Sequence, residues 1–378
     1  MSKRKVTTLP IGGSRESAQV VAAGGMLFSS SISGADPASG DLSSDPERQF
    51  ELAFGNLARL LDQAGASVDE LGLVTVCIPD ASYRPHINKP WLAMFPDESR
   101  RPARKTNQYP LPAGMQVQLQ ALGVKGARPQ PLQIPGFAHR DPLPAGVRMG
   151  DLVVSSVVGG QDPSGAQVED PAGQIRQAFD NLEILLSGAG GTKDDVLHVY
   201  VFLRDRELQP LLIDTWLDVF PTKGDRPARK TIFYEDLRGS TVVQLQMVAV
   251  VGQGKRQNYE IPGIGHHDPI PMGAALGPLV WSSGMSGRGP GQMDVGSSVE
   301  EQAPICFGHM NTLAAQAGVG KDDIGLVTIM VRDYADVGTI IKSWREMFPD
   351  PADEPARHVM ALGLSGDNPV QLHMVAVR

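Results

Sequence analysis

One hexapeptide constrains this chain more than any other feature. Arg-Pro-Ala-Arg-Lys-Thr at 101–106 returns at 226–231, and a variant, Glu-Pro-Ala-Arg-His-Val, stands at 354–359, so the copies lie 125 and 128 residues apart. A Trp followed by Phe-Pro precedes each copy at the same separations: Trp91, Phe95 and Pro96; Trp216, Phe220 and Pro221; Trp344, Phe348 and Pro349. Closing segments keep nearly the same register, VQLQALGV from Val117, VQLQMVAV from Val243 and VQLHMVAV from Val370. Such a period is too long for a solenoid repeat and fits a small domain. The 378 residues therefore read as three tandem units, 1–125, 126–252 and 253–378.

Each unit shows the same succession of elements. Asp45, Pro46 and Glu47 supply an N-cap, a first-position proline and a first-turn acid, which together start a helix. Phe50, Ala53, Phe54, Leu57, Leu60, Leu61 and Ala64 follow, with Gly65 behind them; spacing by threes and fours predicts an amphipathic helix with one buried stripe. The stripe returns from Ile175 to Ala189 before Gly190, and from Ala303 to Ala317 before Gly318. Cys306 lies on it and is expected to pack rather than to react. Short β-rich runs from Met26, Asp151 and Pro278 predict hairpin strands, and the apolar runs from Leu73, His198 and Leu326 predict strands covered on both faces. A second helix carries the Trp. The expected order is β-β-α-β-α-β-β, an α+β unit with its helices on one face of a sheet. Packing three units around a pseudo-threefold axis would cover the other faces. Segments 125–136 and 252–264 read as linkers.

Apolar residues are 41% and charged residues 20% of the chain, which suits packed cores and excludes wholesale disorder. Lys and Arg number 34 against 42 Asp and Glu, a formal charge of −8, which argues against nucleic acid or an anionic membrane as partner. Cys77 and Cys306 are the only cysteines, too few for a disulfide framework or a cysteine metal site. No apolar run is long enough to span a bilayer and no apolar stretch follows the basic Lys3, Arg4 and Lys5, so a cytoplasmic protein is expected. Neither metal nor cofactor is expected, because no His or Cys pair has ligand spacing. The glycine-rich segment 287–291 lacks a P-loop lysine, and no Ser stands in a nucleophile elbow.

The Ser pairs of the hairpins (Ser29 and Ser30, Ser155 and Ser156, Ser282 and Ser283), the Asn-Leu or Met-Asn turn of the long helix, the Pro-Ala-Arg and the alternating closing strand resemble the RidA/YjgF family of small enamine and imine deaminases. The resemblance extends over three copies and almost the whole chain. It implies three tandem chorismate-mutase-like units, an intramolecular pseudo-trimer where the family forms homotrimers, and ligand clefts between neighbouring units. It also implies that Arg104, Arg229 and Arg357 grip a substrate carboxylate, which a planar, permanently charged guanidinium does well. Backbone N–H groups near Ser30, Ser156 and Ser283 would hold a ligand oxygen.

Other family positions are kept unevenly. The Asn of the Trp helix is Asn88 in the first unit but Ile213 and Ile341 in the others. The family's water-positioning glutamate is replaced by Gln120, Gln246 and His373; with Asn88 the two glutamines are expected to contact substrate in the clefts, and His373, which alone of the three can titrate near neutral pH, is a candidate for catalysis beside His139 and His266. The cysteine position holds Thr106, Thr231 and Val359, and the N-terminal tyrosine position holds Ser17, Leu143 and Ile270. Histidine enters instead: His139 and His266 stand beside Asp141 and Asp268, where the first unit has Gly13. A His next to an acid suits a general base acting on water. His267, His309 and His358 are secondary candidates. The expected function is a RidA-like hydrolase or deaminase of a small carboxylate-bearing imine or enamine, with further self-association left open. The alternatives are a non-catalytic binder or sensor of small carboxylates, and a different hydrolase or lyase, chorismatase-like, on the same scaffold. The acidic balance disfavours ribonuclease activity.

Overall fold

The computed structural model describes residues 4–8, 18–235, 237–287, 298–364 and 368–378. Gly13, Ser17 and positions 288–291 of the glycine-rich segment lie outside the described residues. Three seven-stranded mixed sheets follow one another along the chain. In the first, the spatial order is Arg4–Thr7, Val20–Ala23, Met26–Ser29, Gln118–Val124, Leu71–Ile78 and Ala103–Gln108, with the two-residue strand Ile32–Ser33 also paired to Gln118–Val124. Neighbours are antiparallel except the last pair, which is parallel. The second sheet, from Gln130 to Val250, and the third, from Gln257 to Val377, repeat this order strand for strand.

The outermost strand of each sheet departs from the expected β-β-α-β-α-β-β order. Gln130–Leu132 and Gln257–Tyr259 fall in segments whose composition reads as linker. Three residues are too few to display alternation, and Pro131 is accepted there because an edge strand can spare a backbone donor.

The long helices Pro46–Gln63, Pro171–Gly188 and Val299–Gln316 cover one face of their sheets. Asp45, Asp170 and Ser298 accept hydrogen bonds from the N–H groups of Glu47, Gly173 and Glu301, which satisfies donors the first turn leaves open. Their apolar stripes are buried, each in the core of its own unit. Gly65, Gly190 and Gly318 follow in the left-handed region, where the lack of a Cβ removes the steric penalty. Cys306 is fully buried in such a core, and burial pushes its thiol far above the ordinary range. Among the described residues no helix is long and apolar enough to cross a membrane.

The opposite sheet faces meet in the middle of the molecule. A shared core takes Phe28 and Leu122 from the first unit, Met149 and Val248 from the second, and Trp281 and Val375 from the third. The approach is close enough that a Cβ on Gly325 would stand 2.3 Å from the Phe28 ring.

The two serines of each pair divide the work of holding this ring. Ser29, Ser155 and Ser282 accept from the N–H groups of Ala121, Met247 and Met374 in their own closing strands, at 2.7, 2.8 and 2.8 Å. The second serine reaches the preceding unit: Ser156 Oγ accepts the Arg104 N–H at 3.0 Å, Ser283 Oγ the Arg229 N–H at 3.1 Å and Ser30 Oγ the Arg357 N–H at 2.7 Å. The last of these ties the third unit back to the first, so the chain closes on itself as an α+β pseudo-trimer.

Gln120 and Gln246 were expected in the clefts, but they line an axial cavity of about 60 Å³ together with Thr75, Tyr200 and Thr328. His373, their equivalent, is buried beside that cavity, where its Nδ1 lies 2.9 Å from Tyr200 Oη and its Nε2 3.1 Å from His198 Nε2. Burial drives both imidazoles down, His373 to about 3. The reason for the misplacement is the strand's rise. Gln244 and Gln371 face the seams, and a residue two positions further along is carried about 7 Å inward.

Two outcomes follow. Ser156→Ala leaves the buried Arg104 N–H and the Pro144 carbonyl, which accepts the Ser156 hydroxyl at 2.7 Å, without partners; a loss of about 1–3 kcal/mol is expected in denaturant titration. His373 and His198 bind protons more readily unfolded than folded, so their contribution to stability is complete above an ordinary histidine pKa of 6.5 and is lost as pH falls toward about 3. Melting temperature measured at pH 7.5 and 5 should therefore drop less for His373→Gln than for the parent protein.

Candidate functional site

The Pro-Ala-Arg motif opens the outer parallel strand of each sheet, so its Arg stands where one unit abuts the next. Arg104 is 2% and Arg229 1% exposed, and Arg357 is partly buried. The Trp helix explains the fixed Trp-to-Arg spacing: each guanidinium lies over an indole, with Arg104 4.7 Å from Trp91, Arg229 4.8 Å from Trp216 and Arg357 5.0 Å from Trp344. Stacking of this kind retains attraction in a desolvated site.

The three seams differ in what else meets the cation. Between the first and second units, Arg104 Nη2 donates to Asn88 Oδ1 at 3.0 Å and lies 3.3 Å from Asp141 Oδ2, while Asn88 Nδ2 donates to Asp141 Oδ1 at 3.0 Å. Between the second and third, Arg229 Nη2 pairs with Asp268, and Gln209 Nε2 donates to the same carboxylate at 2.7 Å. Gln209 stands one helical turn before Ile213, the position aligned with Asn88, and its longer side chain spans the difference. Burial opposes ionisation of Asp141, yet Asn88 and Arg104 still hold it below the ordinary carboxylate range. At the third seam Glu354 is taken by the Trp344 indole at 2.7 Å and the Ala18 N–H at 2.6 Å, and Arg357 has no ion-pair partner among the described residues.

Asp141 and Asp268 thus turn to the arginines and not to the neighbouring histidines, contrary to the His-acid pairing that adjacency suggested. His139 packs edge-on against Phe137 at 5.0 Å. The Nε2 atoms of His139 and His266 are buried with no hydrogen-bond partner among the described residues. Burial first, then the Arg104 charge, pushes His139 down to about 4; burial and then Lys230 bring His266 to about 4. Both are neutral imidazoles near pH 7. His373 is absent from the seams and serves the axial cluster instead. His309 is satisfied locally by the Ser286 carbonyl at 2.9 Å, and His358 is buried between Ser31 and Tyr109.

The seam serines are committed to the fold. Besides their hydroxyl bonds, the N–H groups of Ser30, Ser156 and Ser283 donate to the carbonyls of Gln19, Ala145 and Met272 at 2.9, 2.9 and 2.8 Å. They hold the units together, so the N–H groups and hydroxyls of these three serines are already engaged within the protein.

A cavity of about 550 Å³ opens at the first seam. Arg84, Arg104, Lys105 and Thr106 come from the first unit, and His139, Asp141, Leu143, Arg238 and Gln244 from the second. Thr106 and Leu143, at the family's cysteine and tyrosine positions, are both on its wall. Asp141 is the single carboxylate among the described lining residues, against Arg84, Arg104, Lys105, Arg140 and Arg238, so a chain of negative net charge carries a strongly positive pocket. Arg104 Nη1 is buried there without a hydrogen-bond partner among the described residues. Burial lowers the Arg104 guanidinium to about 10, still charged at neutral pH. Sequence reasoning missed Lys105 and its equivalent Lys230, although both lie inside the repeated hexapeptide, and missed Gln209, Gln244 and Gln371. Among the described residues no group of His, Cys, Asp and Glu is placed to hold a metal ion.

The chain is similar to several known proteins. The family model described as Endoribonuclease L-PSP matches residues 14–124 and 137–251. A RutC family protein of Aquifex aeolicus is 30% identical over 101 residues, 27% of this chain and 81% of its own length. A 3-aminoacrylate deaminase, RutC, of Acinetobacter baylyi is 31% identical over 84 residues, 22% of this chain and 65% of that protein. Among solved structures, RidA from Psychrobacter sp. PAMC 21119 shares 24% identity with a TM-score of 0.31, covering 32% of this chain and 99% of that one. With the matched family segments spanning more than half of its residues, and three sheets of one order closing into a ring, the chain belongs to the Endoribonuclease L-PSP family, the Rid/YjgF proteins.

Proposed function

We propose that the protein hydrolyses a small carboxylate-bearing imine or enamine in the cavity between its first and second units. The observation that carries this reading is the presence, in one pocket of about 550 Å³, of two buried nitrogen atoms without hydrogen-bond partners among the described residues: the cationic Arg104 Nη1 and the neutral His139 Nε2. An anion of a few carbon atoms fits the charge. Its carboxylate takes the open Nη1 donor, and charge-assisted bonds of this kind contribute roughly 1.5–3 kcal/mol. An imine carbon beside that carboxylate is then held near His139, whose free Nε2 can accept a proton from the attacking water. The substrate named for the Acinetobacter relative, 3-aminoacrylate, belongs to this chemical class.

Asp141 supports the same assignment and limits it. As an internal carboxylate already on Arg104 Nη2, it competes with a ligand for the guanidinium. The cavity holds no second carboxylate among its described lining residues, and for that reason a non-catalytic carboxylate binder is the alternative reading.

Release of ammonia and of the 2-oxo acid from freshly generated 2-imino acids, followed beside calorimetry with the oxo acids, separates the two. Turnover lost by tenfold or more in Arg104→Lys, which keeps charge but not the planar fork, is the expected result. Asp141→Asn should tighten oxo-acid binding several-fold by neutralising the competitor. Saturable binding without product would establish a binder.

A further inference from the structure

Lys105 is a buried cation that crosses the seam without a counter-charge among the described residues. It is 3% exposed, lines the first-seam cavity directly after Arg104, and has no carboxylate partner among the described residues. Its Nζ lies 3.9 Å from the centre of the Phe202 ring and donates to Gln244 Oε1 at 3.2 Å, both across the seam. The Tyr234 ring stands 5.7 Å away on the same side of the seam as Phe202, and one neutral acceptor with two ring faces still leaves a desolvated ammonium without an opposing charge. Burial, with the Arg84 charge as the second cause, lowers it to about 7. Lys230 repeats the arrangement on Gln371. His358 replaces it at the third seam, which closes by the same Arg-to-Ser bond, so the ring does not need a lysine there.

We propose that Lys105 is a nucleophilic amine, one that adds to the carbonyl carbon of a 2-oxo acid, or the imine carbon of a 2-imino acid, held through its carboxylate by Arg104. With the imino acid, Nζ bonds to the carbon to give a geminal diamine. A proton passes from Nζ to the original nitrogen, the bond to that nitrogen breaks, ammonia leaves, and a C=N bond to lysine remains. Water then adds to that carbon, the bond to Nζ breaks, and the 2-oxo acid departs with the amine restored. Nothing is oxidised or reduced, and the sum is imino acid plus water giving oxo acid plus ammonia. Desolvation and neighbouring cations are the ordinary means of making lysine a nucleophile. The deamination route rests on the function proposed above; adduct formation with an oxo acid does not.

The test is reductive trapping on the full chain. Protein incubated with pyruvate and sodium borohydride is mapped by peptide mass, with the exposed Lys89 as internal reference. One reduced adduct at Lys105, formed on the order of tenfold or more faster than at Lys89, and absent from Lys105→Met, is expected. An unmodified Lys105, or one labelled no faster than Lys89, overturns the proposal without requiring any variant to fold. Ammonia release from 2-imino acids is measured in parallel. Turnover that persists unchanged in Lys105→Met overturns the covalent route and leaves the deaminase reading standing, whereas adduct formation without any turnover in the parent protein does the reverse.

Discussion

Each sheet in this protein is apolar on both faces, and its helices cover only one of them. The remaining face, carrying residues such as Phe28, Met149 and Trp281, has to be buried against something, and burying a large apolar side chain contributes about 1.5–3 kcal/mol. Three such faces turned toward one axis satisfy one another. Everything at the seams follows from that arrangement. Once the sheets meet in the middle, the outer parallel strand of one unit lies against the hairpin of the next, and the Arg-to-Ser bonds close the contact.

A guanidinium placed at such a seam loses water and must recover the cost from fixed partners. The indole beneath it supplies part at all three seams. At two seams an acid held by an amide supplies more, from Asn88 in one case and Gln209 in the other. That internal carboxylate engages only Nη2 of Arg104, leaving Nη1 open in the cavity. The pocket is therefore organised around an anion before any ligand arrives, and an entering carboxylate takes the open Nη1 while sharing the charge of the guanidinium with Asp141.

Much of the fold could be read directly from the residues. The repeat period, the helix stripes with their terminal glycines and the position of the arginines all rest on local patterns, and all are found in the structure. Three-residue edge strands such as Gln257–Tyr259 were not legible, since pairing and not periodicity creates them. Gln120 and Gln246 were assigned to the clefts because they align with a family position, but alignment fixes a place on a strand and not how far inward the strand has travelled. Gln209 escaped notice for the converse reason, because an equivalent contact came from a neighbouring turn. Lys105 stands inside the repeated hexapeptide, but nothing in a sequence says that a lysine lacks a carboxylate.

The axis shows what fusion of the units allows. In a homotrimer any residue on the threefold axis meets two copies of itself, so a histidine at the position of His373 would bring three imidazoles together. Here the equivalent positions hold one imidazole and two amides, Gln120 and Gln246, and the imidazole is hydrogen-bonded to His198 and Tyr200, both of the second unit. Such an unsymmetrical cluster is accessible only where the three positions mutate independently. The same independence operates at the seams, where Arg meets Asn and Asp once, Gln and Asp once, and the third time forms no ion pair among the described residues, Glu354 acting on it only from a distance. A single chain can keep the shared core that demands threefold packing while relaxing the chemistry at the interfaces, because the core depends on apolar volume at all three positions and each cleft depends only on the two units that form it.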